Sequence, residues 1–172
     1  MILQTPRLTL RPMTMEDAEH LHAIMSDAEV MAFWDVSEIE DIELTTAILK
    51  SQIDQMKARK SFYWAMDRTD DGTFVGCCDL SDINRWHHRG EVGFIVAKSY
   101  WGDGYALEAM AAVVDHAAQS LKLRRLTART HLGNIRSVRL LEKLGFRHEG
   151  LLRGYVDRDG ERRDCLLFGL LL

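Results

Sequence analysis

The amino-acid sequence predicts one domain of the α/β or α+β class, with helices covering the faces of a sheet. Up to residue 60 the apolar residues of the longer segments recur at helical spacing, and from Phe62 onward they alternate with a period of two. Strand and helix patterns then follow one another to the last residues. The 172 residues suffice for one core, and no linker composition interrupts 1–172, so a single domain is expected.

The first third of the chain predicts one strand and two helices. The alternating segment Leu8–Pro12 ends at a proline, which is typical of an edge or opening strand. Thr14, with an acidic residue three positions later, predicts a helix start, and that helix is expected to end near Asp27. A loop or short helix is expected over 30–37, and a second amphipathic helix over 42–60.

A β-meander is expected next, because the apolar period changes to two. Its strands are predicted over 62–66, 73–80 and 91–96. A turn at 70–72 joins the first two strands. The segment 81–90 is polar and is expected to be irregular.

The last part of the chain alternates between helix and strand. The expected elements are a helix after Gly104, a strand over 126–131, a short helix over 135–144 that Gly145 ends, and strands over 146–155 and 162–171. The whole reading has about seven strands and about four helices.

Composition argues against a nucleic-acid partner. The formal net charge is −4, and the basic residues are scattered, apart from Arg124-Arg125 and the segment 158–163. These two groups are expected to be solvated faces or turns. Nucleic-acid binding usually needs a clustered basic surface, so it is not expected.

The sequence also predicts neither a membrane segment nor a metal site. No apolar run reaches the roughly 18 residues of a spanning helix, and the first residues carry no apolar leader pattern. The three cysteines, two of them adjacent, predict reduced thiols in a cytoplasmic protein. His87-His88 has no cluster of further ligands beside it, so no metal is expected.

The junction between the strand at 91–96 and the next helix carries two glycines. Gly102 and Gly104 allow positive φ angles and remove side chains from the approach to the backbone. Helix-start amides without acceptors, at the positive end of the macrodipole, can bind a phosphate. Gly104 is not followed by Lys and Ser or Thr, which excludes a P-loop. Taken alone, the pattern fits a phosphate cradle and a plain connecting turn equally well.

The neighbouring residues favour the cradle. The segment Trp101-Gly102-Asp103-Gly104-Tyr105-Ala106 closely resembles the acyl-CoA pyrophosphate loop of the GNAT acetyltransferases, above all of the RimJ/RimL-like branch that acetylates ribosomal-protein alanines. The blocks Asn134–Ser137, Leu141–Phe146 and Thr5–Arg11 are similar to that branch too. The resemblance implies a mixed, largely antiparallel twisted sheet with a V-shaped splay between its two central strands.

The resemblance also implies acetyl-CoA as co-substrate. The pantetheine arm would contact the backbone of Phe94, Ile95 and Val96, and Asn134 would bond to it or order the loop. Ser137 would face the sulfur. The diphosphate would rest on the amides of Trp101, Gly102, Asp103, Gly104, Tyr105, Ala106 and Leu107. A cap at the helix start is a second interpretation of both Asn134 and Ser137.

Catalytic roles are less closely determined. Glu91, beside the expected cleft, is the candidate base, although it also fits an exposed carboxylate at a strand end. Many relatives carry a tyrosine acid where this chain has Leu141, so Ser137 is the candidate to protonate the thiolate. Phe33 and Trp34, together with Glu91, would wall the acceptor site.

The predicted function is acetyl-CoA-dependent N-acetylation of a primary amine by direct attack, the amine being a protein N-terminal α-amine or a small molecule. The amine acceptor and acetyl-CoA are then the expected partners, and a homodimer is common among relatives. A non-catalytic acyl-CoA-binding module, acting as a sensor or partner domain, is the alternative. A nucleotide-binding domain that uses the same glycine turn is a third hypothesis.

Overall fold

Eight strands form one sheet in the computed structural model, which describes residues 1–172. The strands are β1 (Leu3–Gln4), β2 (Leu8–Pro12), β3 (Phe62–Arg68), β4 (Phe74–Asn84), β5 (Arg89–Val96), β6 (Arg125–His131), β7 (Arg147–Arg158) and β8 (Glu161–Leu171). The helices are α1 (Ala18–Met25), α2 (Ala28–Met31), α3 (Ile42–Lys57), α4 (Tyr105–Gln119) and α5 (Ile135–Lys143). Two 3₁₀ turns cover Met15–Asp17 and Lys98–Tyr100.

The strand order is β1-β2-β3-β4-β5-β6-β8-β7, and only the central pair β5–β6 is parallel. The predicted mixed, largely antiparallel sheet is therefore confirmed. The parallel pair needs a crossover connection, which α4 supplies between the two strands.

The two central strands separate soon after they meet. β5 and β6 pair only from Arg89 to Glu91 and from Arg125 to Thr127. Both strands then continue without pairing with each other, β5 to Val96 beside β4 and β6 to His131 beside β8. The predicted V-shaped splay is thus present, and it leaves one edge of each strand free to bind something other than a strand.

Several element boundaries differ from the sequence prediction. β1 was not expected, because two residues are too few to show an alternating pattern. The 81–90 segment is not irregular: β4 runs to Asn84 and β5 begins at Arg89, so only a short polar turn separates them. Polar residues are tolerated there because residues 85–89 at the hairpin tip are exposed, and the register shifts after Ser81.

The helix predictions need two corrections. A 3₁₀ turn follows Thr14, whose N–H donates to the Asp17 carboxylate at 2.8 Å, and α1 then ends at Met25 rather than near Asp27. The loop or short helix expected over 30–37 is in part a short helix, α2, but it begins earlier, at Ala28, where the Asp27 side chain accepts from the N–H groups of Glu29 and Val30. Asp27 is therefore the N-cap of α2 and lies outside α1.

Two apolar clusters cover the two faces of the sheet. On one face α4 packs Met110 and Val113 against strand residues such as Leu80 and Val92. On the other face the cluster includes Leu21, Met31 and Leu49 from α1, α2 and α3. No helix is long and apolar enough to cross a membrane.

Candidate functional site: a glycine turn beside the strand splay

The glycine turn has the backbone conformation that its sequence predicts. Gly102 and Gly104 have φ angles of +91° and +83°, and Gly104 is the N-cap of α4. A Cβ atom on Gly102 would meet no atom within 4 Å, so glycine is needed there for its φ angle and not for space. From Gly102 to Leu107 no backbone N–H group has an acceptor within the protein. Unpaired amides at a helix start are the kind of groups that can bind an anion.

The N-terminal segment fixes the first turn of α4. The Glu108 carboxylate accepts from the Thr5 hydroxyl at 2.6 Å and from the Arg7 Nε at 2.6 Å. The Arg7 guanidinium lies 4.7 Å from the centre of the Tyr105 ring and donates to the Asp103 carbonyl at 2.9 Å. This contact explains why the Thr-Pro-Arg opening accompanies the glycine loop.

These contacts favour the ionised form of Glu108. Burial alone would raise the pKa of the Glu108 carboxyl, but hydrogen bonds from Thr5 and Arg7 outweigh that effect and lower it below its ordinary value. The carboxylate also lies in the first turn of α4, where a negative charge is favoured by the helix dipole.

Trp101 joins the loop to the end of β5. Its indole Nε1–H donates to the Val96 carbonyl at 2.9 Å, and the Arg136 guanidinium lies 4.3 Å from the centre of its ring. An aromatic residue at this position therefore connects the strand end, the glycine loop and the start of α5.

The backbone of β5 alternates between its two neighbours. Ala97 donates to the Val75 carbonyl, and in the β4–β5 register this places the backbone groups of Ile95 toward β4. The N–H and C=O groups of Phe94 and Val96 point the other way, into the splay, where the Val96 carbonyl accepts from the Trp101 indole. Of the three residues predicted to contact the coenzyme through the main chain, Phe94 and Val96 therefore have backbone groups directed into the splay. The backbone groups of Ile95 face β4 instead.

A cavity of about 840 Å³ begins at the glycine turn and reaches the splay. Of the predicted cofactor-binding residues, only Asp103 does not line it: Asp103 is exposed and its carbonyl is occupied by Arg7. The cavity is lined by Phe94, Ile95, Val96, Trp101, Gly102, Gly104, Tyr105, Ala106, Leu107, Asn134 and Ser137, among others.

Asn134 caps α5, as the second interpretation of this residue predicts. Its side-chain oxygen accepts from the Ser137 N–H at 3.2 Å. The cap does not remove either residue from the cavity, because both Asn134 and Ser137 line it.

A second cavity, of about 230 Å³, adjoins the first. Both cavities are lined by Phe33, Trp34, Phe94, Asn134 and Ser137. Phe33 and Trp34, which the sequence assigned to the acceptor site, thus stand where the two spaces meet. We call the smaller space the acceptor cavity.

The sheet directs its polar side chains into the acceptor cavity. Asp79 pairs with Gly93, Ser81 with Glu91, and Glu91 in turn with Thr127. Since paired residues and residues two apart share one face of a sheet, the polar side chains of four strands converge there. Those that line the cavity are Asp79, Ser81, Glu91, Arg129, His131 and Cys165.

Glu91 is ion-paired inside the acceptor cavity. Its carboxylate accepts from the Arg129 Nε at 2.9 Å, and its side chain is 23% exposed. Arg129 also lies 3.8 Å from the Asp35 carboxylate and 4.9 Å from the centre of the Tyr155 ring. The structure therefore places the predicted base in the acceptor cavity, but with a guanidinium bound to it.

Asp79 is a cavity residue that the sequence analysis missed. It takes part in no ion pair, and burial raises the pKa of its carboxyl to about 6, with the nearby Glu91 charge acting in the same direction and Ser81 opposing. A Cβ atom on Gly93, its partner on β5, would lie 2.5 Å from the Asp79 Oδ1. The feature that could have indicated Asp79 is the glycine opposite it on the neighbouring strand. That pairing is known only once the strand register is known.

The loop that carries Phe33 and Trp34 is held by Arg158. This side chain is 7% exposed, and its Nη1 donates to the carbonyls of Met31, Ala32 and Trp34 at 2.7, 3.1 and 3.3 Å. The expectation that the basic segment 158–163 is a solvated turn is thus wrong for Arg158. The error arises because the partner carbonyls lie more than 120 residues earlier in the chain.

Three potential ligand atoms lie close together at the end of the acceptor cavity. Asp35, His131 and Cys165 place one oxygen, one nitrogen and one sulfur within 4.8 Å of one another. The His131 Nε2 is hydrogen-bonded to the Asp35 carboxylate at 2.8 Å, and all three cysteines of the chain are free thiols. No local sequence pattern indicates this cluster, since its members come from a loop, β6 and β8.

Comparison with known proteins agrees with this geometry. Residues 7–147 match the family model of the acetyltransferase (GNAT) domain. The uncharacterized N-acetyltransferase YoaA of Bacillus subtilis (strain 168) is 30% identical over 170 residues, which cover 99% of this chain and 96% of that protein. The spermidine N(1)-acetyltransferase of Escherichia coli (strain K12) is 30% identical over 158 residues, or 91% of this chain and 82% of that protein.

A solved structure is similar over the same length. RimJ of Mycobacterium smegmatis, in complex with CoA-disulfide, matches with a TM-score of 0.86 and 26% identity. The match covers 99% of this chain and 86% of that one.

Proposed function

Since the chain belongs to the GNAT acetyltransferase family and is an N-acetyltransferase, we propose that it transfers the acetyl group of acetyl-CoA directly to a primary amine. The observation that carries the proposal is the meeting of two cavities at the splay of β5 and β6. One cavity begins at unpaired helix-start amides, and the other is lined by carboxylates.

The larger cavity suits a coenzyme that carries a diphosphate on a long arm. The free amides from Gly102 to Leu107 would bind the diphosphate oxygens without the need for a lysine. The N–H and C=O groups of Phe94 and the N–H group of Val96, which face the splay, would pair with the amide groups of the pantetheine arm much as a further strand would. The thioester would then lie beside Ser137, where the cavities join.

The chemistry requires few groups from the protein. A neutral amine in the acceptor cavity attacks the thioester carbon, and an N–H of β5 that faces the splay, on Phe94 or Val96, stabilises the oxyanion. The carbon–sulfur bond then breaks, and the thiolate takes a proton, for which the Ser137 hydroxyl is our candidate donor. Holding both substrates side by side contributes much of the rate, and no covalent enzyme intermediate is needed.

The acceptor cavity favours a cationic amine. The carboxylates of Asp35, Asp79 and Glu91 line it, against the single guanidinium of Arg129. Carboxylates lining a narrow cleft raise the local concentration of a protonated amine. One similar protein is named for spermidine as its acceptor and another is a RimJ, so small polyamines and protein α-amines both belong in the acceptor panel.

A thiol-release assay with acetyl-CoA and a panel of amines tests the proposal. The panel comprises polyamines, single amino acids and peptides with free N-terminal alanine or serine, with N-acetylated peptides as the matched control. We expect coenzyme A release with at least one primary amine and with no blocked peptide. Tight acetyl-CoA binding without turnover on any amine would instead support the non-catalytic acyl-CoA-binding module.

A further inference from the structure

Asp79 differs from the other acidic residues of the acceptor cavity in having no cationic partner. Glu91 is bonded to Arg129, and Asp35 is bonded to His131 and lies near Arg129. No ion pair involves Asp79. The titratable groups that act on it or feel its charge are all anionic or neutral: Tyr63 on β3, Cys77, Cys78 and Asp82 on β4, and Glu91 on β5. The basic groups that line the same cavity, Arg129 and His131, are bonded to Glu91 and Asp35.

A free carboxylate accepts a proton more readily than a paired one. Protonating Glu91 would weaken its charge-assisted hydrogen bond to Arg129, and such bonds are about twice as strong as neutral ones. Protonating Asp79 breaks no ion pair and relieves repulsion from Glu91. Of the two carboxylates on this face of β4 and β5, Asp79 is therefore the better proton acceptor.

The sheet provides the space that this carboxylate occupies. Asp79 faces Gly93 across the β4–β5 pair, and the glycine has no side chain to displace the carboxylate oxygens. A Cβ atom at residue 93 would lie 2.5 Å from Oδ1 and so would force the carboxylate to move. Both residues line the acceptor cavity, next to Phe94, whose backbone groups face the splay.

We propose that Asp79, and not Glu91, is the base that takes the proton from the acceptor amine, with Gly93 leaving room for its carboxylate. This assignment rests on the proposed function. The carboxylate takes one proton from the ammonium group, directly or through a water, which frees the nitrogen lone pair for attack on the thioester. After the carbon–sulfur bond breaks, the Ser137 hydroxyl gives its proton to the thiolate and takes the second nitrogen proton in exchange, and Asp79 returns its proton to solvent.

The acidity of the site fits this role. Burial, with the Glu91 charge beside it, raises the pKa of Asp79 to about 6, close to the pH at which a general base is most effective near neutrality. Because the base must be ionised, turnover should fall as the pH drops through about 6. Glu91 stays available to hold Arg129 in place.

The experiment measures the turnover of wild type, Asp79→Asn, Glu91→Gln and Gly93→Ala at saturating substrates from about pH 5 to pH 9, with acetyl-CoA affinity measured separately by calorimetry. We expect Asp79→Asn to lower kcat on the order of 100-fold, the usual contribution of a general base. Its pH–rate profile should lose the acidic limb, which is the fall in turnover at low pH. Its affinity for acetyl-CoA should be normal. Glu91→Gln should keep the acidic limb. Gly93→Ala should lower kcat with no change in acetyl-CoA affinity.

A second acceptor separates a base from a merely structural residue. An amine that is already neutral at the assay pH needs no base, so Asp79→Asn should lose much less activity with it than with an alkylamine. An Asp79→Asn enzyme that keeps the wild-type kcat and the acidic limb of the pH–rate profile would overturn the assignment. The assignment would also be overturned if Glu91→Gln abolished the acidic limb and Asp79→Asn did not. If Asp79→Asn does not fold, a Gly93→Ala enzyme with unchanged kcat overturns it instead.

Failure of the proposed function would be seen in the wild type. A wild-type protein that binds acetyl-CoA but acetylates no amine contradicts the proposed function, and with it the assignment of Asp79. A wild-type enzyme that turns over while Asp79→Asn matches it contradicts the assignment alone.

Discussion

The Trp101 indole donates its Nε1–H to the Val96 carbonyl across 2.9 Å, so the glycine loop is tied to the last residue of the splayed strand. Through this bond the loop and the backbone groups of β5 are held in one arrangement. Arg136 lies over the same indole and adds the start of α5 to the arrangement.

Replacing Trp101 by Phe tests this connection. The variant keeps a ring for Arg136 but leaves the Val96 carbonyl without its donor, and an unsatisfied partly buried acceptor costs about 1–3 kcal/mol. We expect acetyl-CoA affinity, measured by calorimetry, to fall about tenfold. Trp86→Phe is the matched control, because Trp86 is 87% exposed and should show no change. Equal affinities for both variants would mean that the indole bond does not support the coenzyme site.

Gly102→Ala tests the turn conformation and the free amides together. The left-handed region costs a non-glycine residue roughly 1–2 kcal/mol, and Gly102 has a φ of +91° with open space around it. Gly160, in the β7–β8 turn, has a φ of +80° and equally open space, so Gly160→Ala should carry a similar loss of stability. Only Gly102→Ala should also weaken acetyl-CoA binding, and the pair is compared by thermal unfolding and calorimetry. If Gly160→Ala weakened binding as much, the loop would have no special role.

Glu108 should make stability depend on pH. Its pKa is lowered in the folded protein, so its contribution is complete above the ordinary value of 4.5 and is lost as the pH falls through the lowered value. Glu108→Gln should cost about 1–2 kcal/mol at pH 7 and much less at low pH, as measured by denaturant unfolding. The exposed Glu142 makes no ion pair and supplies the control, Glu142→Gln. The same loss at pH 7 and at low pH would contradict the ionised role of Glu108.

Arg158→Lys should affect the acceptor more than the coenzyme. Lysine cannot reach the three carbonyls and Ser37 together, so the loop with Phe33 and Trp34 should loosen. We expect a stability loss of about 2–3 kcal/mol and a rise in the acceptor KM of about tenfold, roughly what one lost hydrogen-bonded contact would give. The acetyl-CoA affinity should change little. Arg162→Lys, at a side chain 72% exposed, is the control, and a change in acetyl-CoA affinity alone would contradict the proposed loop role.

The features that the sequence predicts correctly are those that depend on neighbouring residues. The positive φ angles of Gly102 and Gly104 and the cap by Asn134 follow from a few neighbouring residues. Most strands and helices were found from their periodicity, and the splay between β5 and β6 followed from the family resemblance. Ends of elements were less accurate, as at Asn84, where a polar strand continues beyond the apolar core.

What the sequence could not show depends on register and on distant contacts. Asp79 becomes a candidate base only when its pairing with Gly93 and its lack of an ion-pair partner are known. Arg158 resembles any basic residue of a turn until its carbonyl partners, more than 120 positions away, are placed beside it. The Glu91 ion pair with Arg129 likewise joins residues 38 positions apart, from two strands that diverge.

The most direct test of the account is an initial-rate study in which acetyl-CoA and the best amine are both varied. Direct attack in a ternary complex predicts reciprocal plots that intersect, N-acetylated amine as the product, and no acetyl group on the protein by intact mass spectrometry. Parallel lines with an acetylated enzyme would contradict direct transfer, and the absence of any acetylated amine would contradict the proposed function itself.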